Sequence, residues 1–300
     1  MNTSSSSTSD RRALVLGGGG STGNAWLIGV LAGLFEAGLD VTTAQVTVGT
    51  SAGATAAAQL AGATPTELLA AVLASGSPVA RAPHDGARTT PKPVHDQLAR
   101  TAAIIASSES VEVARRTIGA AALARLAASD GSWQEQWRTT VAARLRQHRW
   151  PGRELLLTAV DALTGAPVVF DRDSRVNLVD AVAASCSSGL PYRIGDAYYL
   201  DGGYRTNADN ADLASPCGRV LVLSPFGGRT LLPQDWGLHL AAQIDALRAE
   251  GSQVEAIFPP SDSEHLFGAN AMDLSMRPTA ALLGYDQAKG LIKPLTDLWC

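Results

Sequence analysis

The stretch that decides the fold is residues 46–60, VTVGTSAGATAAAQL. A short β-branched run at 46–48 leads into Gly49-Thr50-Ser51-Ala52-Gly53, and helix-forming alanines continue to about residue 60. The glycines of a G-x-S-x-G sequence permit a strand-to-helix turn sharp enough to hold the serine hydroxyl out at the edge of a sheet. Ser51 is therefore a candidate nucleophile, and a plain helix N-cap is the competing interpretation.

The chain before this turn repeats the same order of elements. Residues 13–16 are apolar, four glycines follow at 17–20, and residues 24–37 carry apolar side chains at helical spacing until Gly38. Strands that alternate with helices predict an α/β fold, with a parallel sheet flanked by helices and functional loops at the carboxyl ends of the strands. Both glycine-containing turns would then lie on one edge of the sheet.

The rest of the chain predicts a helical insert inside this α/β body. Prolines and glycines break residues 75–96, which predicts an irregular segment that could cover an apolar pocket. Further helices are predicted at 97–105, at 111–128, and from a capping box of Ser132 and Glu135 to about 147. Strands are predicted at 154–160, 168–170, 197–200, 220–223 and 254–258, and helices at 176–185, at 234–249 and in the tail. We expect a flexible tail at 1–12 and a single domain at 13–300, with the insert at about 75–150.

Composition excludes several classes of protein. Of the 300 residues, 46% are hydrophobic and 17% charged, which is typical of a folded globular chain. A formal net charge of −4 argues against a nucleic-acid partner. The three cysteines, Cys186, Cys217 and Cys300, share no metal-type spacing, so we expect no metal site, no disulfide framework and a reduced, cytoplasmic location. The sequence has no uninterrupted apolar run of about 18 residues, which leaves peripheral contact as the expected mode of meeting a membrane.

The glycine run at 17–23 fits other motifs less well. Gly19-Gly20-Ser21-Thr22-Gly23 also reads G-x-S-x-G, but four glycines separate Ser21 from its strand, so the context favours Ser51. The dinucleotide-binding G-x-G-x-x-G needs an acidic residue at the end of the second strand, where Gly49 stands. A phosphate-binding loop would end in Gly-Lys-Ser/Thr, which this run lacks. We therefore expect no cofactor.

The glycines leave backbone amides unpaired at the start of a helix, and such amides can bind a developing oxyanion. A packing loop with no ligand is the competing interpretation of the glycines.

A serine nucleophile also needs a base that takes its proton. His239, inside a predicted helix, and His265, in a loop-like stretch, are candidate bases downstream of Asp201. Asp201 itself follows the predicted strand at 197–200 and precedes two glycines, which would place its carboxylate at the same sheet edge as Ser51. A simple Asp-Gly turn is the alternative.

These residues together resemble the patatin-like phospholipase family. The shared features are a glycine-rich loop after the first strand, G-x-S-x-G one βα unit later, and Asp201-Gly202-Gly203 further along. Ala184-Ser185, Pro191 and Asn207 also fit the family, and the similarity covers most of residues 13–225. The resemblance implies a three-layer fold with a mainly parallel central sheet, and a serine acyl hydrolase in which Ser51 is the nucleophile and Asp201 the base.

The resemblance also implies a substrate class and an oxyanion hole. The substrate would be a lipid carboxylic ester, as for a phospholipase A, lysophospholipase or esterase, and the oligomeric state stays open. Acyl transfer and a catalytically inactive lipid-binding module are the alternatives. Family members usually carry Arg or Lys where this chain has Thr22, which predicts weaker anion handling or a shifted acyl preference. The implied oxyanion donors are the amides of Gly18, Gly19, Gly20 and Ala52, and the motif glycines are Gly23, Gly49, Gly53, Gly202 and Gly203.

Overall fold

The structure is a computed structural model that describes residues 10–75 and 92–300. The first nine residues of the predicted tail, and residues 76–91 of the predicted irregular segment, lie outside the described residues.

Strands and helices of the described residues alternate in the first and last thirds of the chain. The strands are β1 (Arg12–Leu16), β2 (Val46–Gly49), β3 (Glu154–Asp161), β4 (Pro167–Phe170), β5 (Tyr192–Ile194), β6 (Ala197–Asp201), β7 (Arg219–Leu223) and β8 (Gln253–Ile257). The helices are α1 (Gly20–Glu36), α2 (Ala52–Gln59), α3 (Pro65–Ser75), α4 (Lys92–Ala106), α5 (Val111–Ala127), α6 (Trp133–Ala143), α7 (Leu178–Ser185), α8 (Leu240–Ala249), α9 (Arg277–Lys289) and α10 (Ile292–Trp299). Of these described helices, none is both long enough and apolar enough to cross a bilayer.

The central sheet is mainly parallel, as predicted. Its strand order is β5-β6-β3-β2-β1-β7-β8, with β4 also paired to β3. Strands β3, β2, β1, β7 and β8 run parallel, whereas β4, β5 and β6 form antiparallel pairs at one side. Because Leu16 pairs with both Gly49 and Leu223, the carboxyl ends of β2, β1 and β7 lie level. The turns that follow these strands therefore meet at one edge of the sheet.

Helices cover both faces of the sheet, and the alternation of side chains along β1 explains why. Leu14 and Leu16 are buried in the larger core, together with α1, α2, α7 and α9. Ala13 and Val15 point to the other face and are buried with apolar residues of α8. A parallel strand buried on both faces is apolar throughout, which is the pattern of residues 13–16. The result is the three-layer arrangement that the family resemblance implies.

Helices α1 and α9 pack unusually closely, which matters for the site. A side chain at Gly29 would lie 1.9 Å from the carbonyl oxygen of Ala281, so only glycine allows this approach. At their amino-terminal ends, Arg277 of α9 reaches Ser21 of α1. The close packing therefore brings a residue from near the end of the chain to the glycine-rich turn after β1.

The helical insert packs against the antiparallel side of the sheet. Ile105 of α4 and Ile118 of α5 are buried with Val160 of β3 and Leu200 of β6. Leu200 directly precedes Asp201, so the insert supports the strand that carries the candidate base.

Some local predictions were wrong. The predicted helix at 234–249 begins only at Leu240, because Gly237 adopts φ 66° after a short 3-10 turn at Gln234–Trp236. The capping box of Ser132 and Glu135 does not form, since the Ser132 hydroxyl donates to Asp130 Oδ1 at 2.8 Å. That helix, α6, ends at Ala143 rather than near 147.

Candidate active site

Ser51 occupies a sharp turn between β2 and α2. Its φ of 52° and ψ of −109° lie outside the region that non-glycine residues prefer, so the surrounding contacts must hold it there. The Ser51 amide donates to the Ser185 hydroxyl at 3.0 Å. A side chain at Gly53 would lie 1.8 Å from the Leu16 carbonyl oxygen, which explains the glycine two residues after the serine. The turn has the strand-to-helix geometry predicted from the G-x-S-x-G pattern.

Asp201 ends β6 and faces this turn. It is only 7% exposed, and its Oδ1 accepts a hydrogen bond from the Gly203 amide at 2.8 Å. The Ser51 side chain interacts with the same carboxylate. Burial raises the pKa of Asp201 to about 6, although the hydrogen bonds from Gly203 and Ser51 act in the opposite direction. The structure thus joins the candidate nucleophile to a carboxylate that is still ionised at neutral pH.

The glycine loop, residues 17–20, lies beside Ser51. A methyl group placed on Gly18 would lie 3.6 Å from the Ser51 Cβ. The Gly18 amide already donates to the Ala208 carbonyl at 2.7 Å, so it is not free for an oxyanion. In residues 10–75 and 92–300, no protein acceptor takes the amides of Gly19, Gly20 or Ala52. Of the four amides predicted to bind an oxyanion, three therefore remain without a partner among the described residues, and they lie at the amino-terminal ends of α1 and α2.

Asn210 connects the two turns, and sequence reasoning missed it. Its side-chain amide donates to Thr50 Oγ1 at 3.0 Å and to the Gly202 carbonyl at 3.0 Å. These residues directly precede Ser51 and directly follow Asp201. Asn207, the family feature noted from sequence, accepts a hydrogen bond from the backbone amide of Asn210 through its Oδ1 at 2.9 Å. This bond fixes the loop that presents the Asn210 side chain.

Asp209 is a second buried carboxylate under the glycine loop. Its Oδ2 accepts from the Ser224 hydroxyl at 3.0 Å, whereas Oδ1 has no partner among the described residues. A side chain on Gly17 would lie 2.1 Å from that Oδ1, which shows how closely the carboxyl group approaches the loop. Burial raises the pKa of Asp209 to about 7. In the sequence, Asp209 looks like an ordinary turn residue, and only its position in the fold identifies it as a buried carboxylate.

In the part of the chain that the structure describes, neither candidate histidine forms a hydrogen bond with Ser51. His239 lines the cleft that contains Ser51, but it is the N-cap of α8 rather than a residue inside the helix, as the sequence predicted. His265 is exposed in a 3-10 turn at Ser261–Leu266. Of the three candidate bases, Asp201 is the one with an interaction with Ser51 among the described residues.

The cleft above Ser51 has a volume of about 1830 Å³ and is mostly apolar. Several of its lining side chains are large, apolar and solvent-exposed, so they lie at its mouth: Leu98, Leu231, Phe258, Met272 and Leu274. Thr22, which replaces the basic residue usual in the family, is fully buried and donates to the Leu266 carbonyl at 2.7 Å. Thr22 therefore presents no polar group to the cleft.

A family model described as Patatin-like phospholipase matches residues 14–214. This chain belongs to the patatin-like phospholipase family. The matched range runs from β1 past β6 and includes both Ser51 and Asp201. Membership in the patatin-like phospholipase family supports, in general terms, a lipid hydrolase activity. No curated protein sequence gives a significant match.

The solved structures to which this chain is similar are distant from it in sequence. VipD from Legionella pneumophila is 14% identical, with 95% of this chain and 67% of VipD aligned and a TM-score of 0.44. The type III effector protein ExoU is 19% identical, with 95% of this chain and 53% of ExoU aligned and a TM-score of 0.39. ExoU from Pseudomonas aeruginosa in complex with SpcU is 18% identical over 93% of this chain and 53% of the other, with a TM-score of 0.34. This chain thus spans about half the length of the ExoU chains.

Proposed function

We propose that this protein hydrolyses carboxylic ester bonds of lipids, with Ser51 as the nucleophile and Asp201 as the base. The observation that carries the proposal is that the Ser51 side chain interacts with the buried Asp201 carboxylate, and both line one mostly apolar cleft. A serine hydroxyl is a weak nucleophile until a neighbouring base takes its proton. With a pKa of about 6, Asp201 is both ionised at neutral pH and more basic than an ordinary aspartate.

In the first half of the reaction, Asp201 takes the proton from Ser51 as Oγ attacks the ester carbonyl carbon. The carbonyl π electrons move onto oxygen, and that charge develops next to the free amides of Gly19, Gly20 and Ala52. Such donors stabilise a tetrahedral intermediate because they are already oriented before the reaction, and losing one costs on the order of 100-fold in rate. When the carbon–oxygen bond to the alcohol breaks, Asp201 returns the proton to the leaving alcohol.

In the second half, water enters and loses a proton to Asp201 as it attacks the acyl-enzyme carbonyl. The bond from the acyl carbon to Ser51 Oγ then breaks, Ser51 takes the proton back, and the fatty acid leaves. Asp201 serves as the base in both halves, so a histidine is not required. The hydrogen bond from Gly203 to Oδ1 holds the carboxylate in one orientation throughout.

The lining of the cleft supports a lipid as the source of the ester. Met272 is 54% exposed and Leu274 is 66% exposed, and both line the cleft. Exposed apolar side chains grouped around a site are typical of contact with a membrane or an apolar ligand. We propose that these side chains contact the lipid surface while one acyl chain enters the cleft.

Kinetics on a short chromogenic ester test the dyad. We expect Ser51→Ala and Asp201→Asn each to lower kcat at least about 1000-fold, because each removes a group that must act in both halves of the reaction. Ser21→Ala is the matched control: its serine also reads G-x-S-x-G but lies in the first turn of α1, so turnover should stay near that of the wild type. Retained turnover in Ser51→Ala would refute the mechanism.

Two further measurements distinguish the alternatives, which are acyl transfer and a catalytically inactive lipid-binding module. Turnover of the wild type only when an alcohol acceptor is added would favour acyl transfer. Binding of lipid with no turnover under either condition would favour an inactive lipid-binding module.

A further inference from the structure

The charge of the cleft is opposite in sign to that of the whole chain. The chain carries a formal charge of −4. Among the described residues that line the cleft, Asp201 is the one carboxylate, and five are arginines: Arg115, Arg144, Arg146, Arg229 and Arg277. A cleft lined by one sign of charge attracts ligands of the other sign. The cleft therefore favours an anionic ligand.

Three of these arginines are already paired with carboxylates. Arg146 contacts Glu67 at 3.1 Å, Arg229 contacts Glu264 at 3.1 Å, and Arg115 contacts Glu112 at 3.4 Å. Arg144 and Arg277 have no carboxylate partner among the described residues. Their charges are thus the two in the cleft that the described residues do not neutralise.

Arg277 is half-buried at the start of α9 and is held by neutral groups only. One terminal nitrogen donates to the Ser21 carbonyl at 2.8 Å and to the Ser21 hydroxyl at 3.2 Å, and the other donates to Asn24 Oδ1 at 3.1 Å. A guanidinium has five N–H donors, so further donors remain for a ligand. A half-buried cation without a counter-ion is costly, which is typical of a residue that is neutralised by what it binds.

Both arginines line the cleft that contains the reacting serine. Asn24, which orients Arg277, also donates to the carbonyl of Ala52 at 3.3 Å, immediately after Ser51. Arg144 is the C-cap of α6, and its guanidinium lies 5.4 Å from the centre of the Trp137 ring, which also lines the cleft. The two arginines also act on each other: burial, and then repulsion from Arg144, lower the pKa of Arg277 to about 10. The two cations therefore face the same cleft as Ser51.

We propose that Arg277 and Arg144 form a subsite that binds the phosphate of an anionic lipid ester beside Ser51. This proposal rests on the proposed function, because it places the phosphate next to the ester that Ser51 attacks. Arginine suits this role, since its planar fork of donors matches two phosphate oxygens at once. Two cations without counter-ions can share one dianionic group, and binding would relieve the repulsion between them.

A pair of short-chain substrates tests the subsite. 1-Octanoyl-lysophosphatidic acid and 1-octanoylglycerol share the scissile ester and differ in the phosphate. We expect the wild type to prefer the phosphate ester, and the ratio of the two kcat/KM values to fall about tenfold in Arg277→Gln and in Arg144→Gln, as for the loss of a hydrogen bond to a charged group. Because both substrates are measured on one preparation, any loss of folded protein cancels in the ratio.

Arg146→Gln is the matched control, since Arg146 lines the same cleft but is paired with Glu67. Its ratio should stay within about twofold of the wild type. An equal fall in Arg146→Gln, an unchanged ratio in the other two variants, or no preference in the wild type would each overturn the subsite.

Calorimetric titration of octyl phosphate into the Ser51→Ala variant tests the same subsite without hydrolysis. We expect binding, and an approximately tenfold weaker Kd when Arg277→Gln or Arg144→Gln is added. If octyl phosphate binding depends on these arginines but the wild type hydrolyses neither ester, the proposed function is contradicted and the subsite is kept. Octyl phosphate binding that ignores both arginines would overturn the subsite and leave the function standing.

Discussion

Replacing the proposed base should make the protein more stable while it removes activity. In Asp201→Asn the side chain keeps its size, and its oxygen can still accept the hydrogen bond that Gly203 donates to Oδ1. The substitution removes the negative charge, which is buried in the folded protein and exposed to water in the unfolded chain. We therefore expect a higher free energy of unfolding for the variant at neutral pH.

The size of the effect follows from the pKa of Asp201. The value of about 6 in the folded protein compares with 3.8 for an ordinary aspartate, a difference of about two units. Because burial favours the protonated form, the wild type loses stability as the pH rises from about 4 to about 6, and the loss is complete above that range. At 1.36 kcal/mol per unit, the cost at pH 7.5 is about 3 kcal/mol.

Urea denaturation of both proteins at pH 7.5 and pH 4 measures this cost. We expect Asp201→Asn to be more stable by about 3 kcal/mol at pH 7.5 and by much less at pH 4. Asp245→Asn, which changes an exposed carboxylate of α8, is the control and should be within about 0.5 kcal/mol of the wild type at both pH values. A variant equal to or less stable than the wild type at pH 7.5 would refute the reasoning.

Further predictions concern activity, packing and membrane contact. The kcat/KM for a neutral ester should rise with pH around an apparent pKa of about 6 as Asp201 ionises, and a flat profile between pH 5 and 8 would contradict its role as base. Gly53→Ala places a methyl group 1.8 Å from the carbonyl that ends β1, so we expect a loss above about 4 kcal/mol in thermal melting. Gly152→Ala, with nothing within 4 Å, should melt like the wild type. In vesicle sedimentation, Met272→Asp should bind lipid about tenfold more weakly, whereas Leu163→Asp, at a residue 76% exposed but outside the cleft, should not; equal losses would argue against the proposed membrane face.

The opening of the fold could be predicted because its signals are local. Buried parallel strands are apolar along their whole length, and the glycines after them mark where each strand ends. Residues 13–16 and 46–48 therefore located β1 and β2 to within a residue. The same local context distinguished the Ser51 turn from the alternative at Ser21.

Other features could not be predicted because they depend on distant contacts or on one residue that overrides a pattern. The apolar spacing of residues 234–249 predicted one continuous helix, but the left-handed backbone of Gly237 interrupts it, and α8 begins only at Leu240. Asn210 and Arg277 carry no local signal: their partners at the Ser51 turn and in α1 are 160 and 256 residues away in sequence. Only the folded chain places them at the site.

The central claim is that the Ser51 hydroxyl is activated by the Asp201 carboxylate. Labelling with a fluorophosphonate, followed by peptide mass spectrometry, tests it most directly, because the reagent bonds covalently to an activated serine. We predict a label on Ser51 in the wild type and a much slower reaction in Asp201→Asn. A label on Ser21 instead, or none in the folded wild-type protein, would contradict the claim.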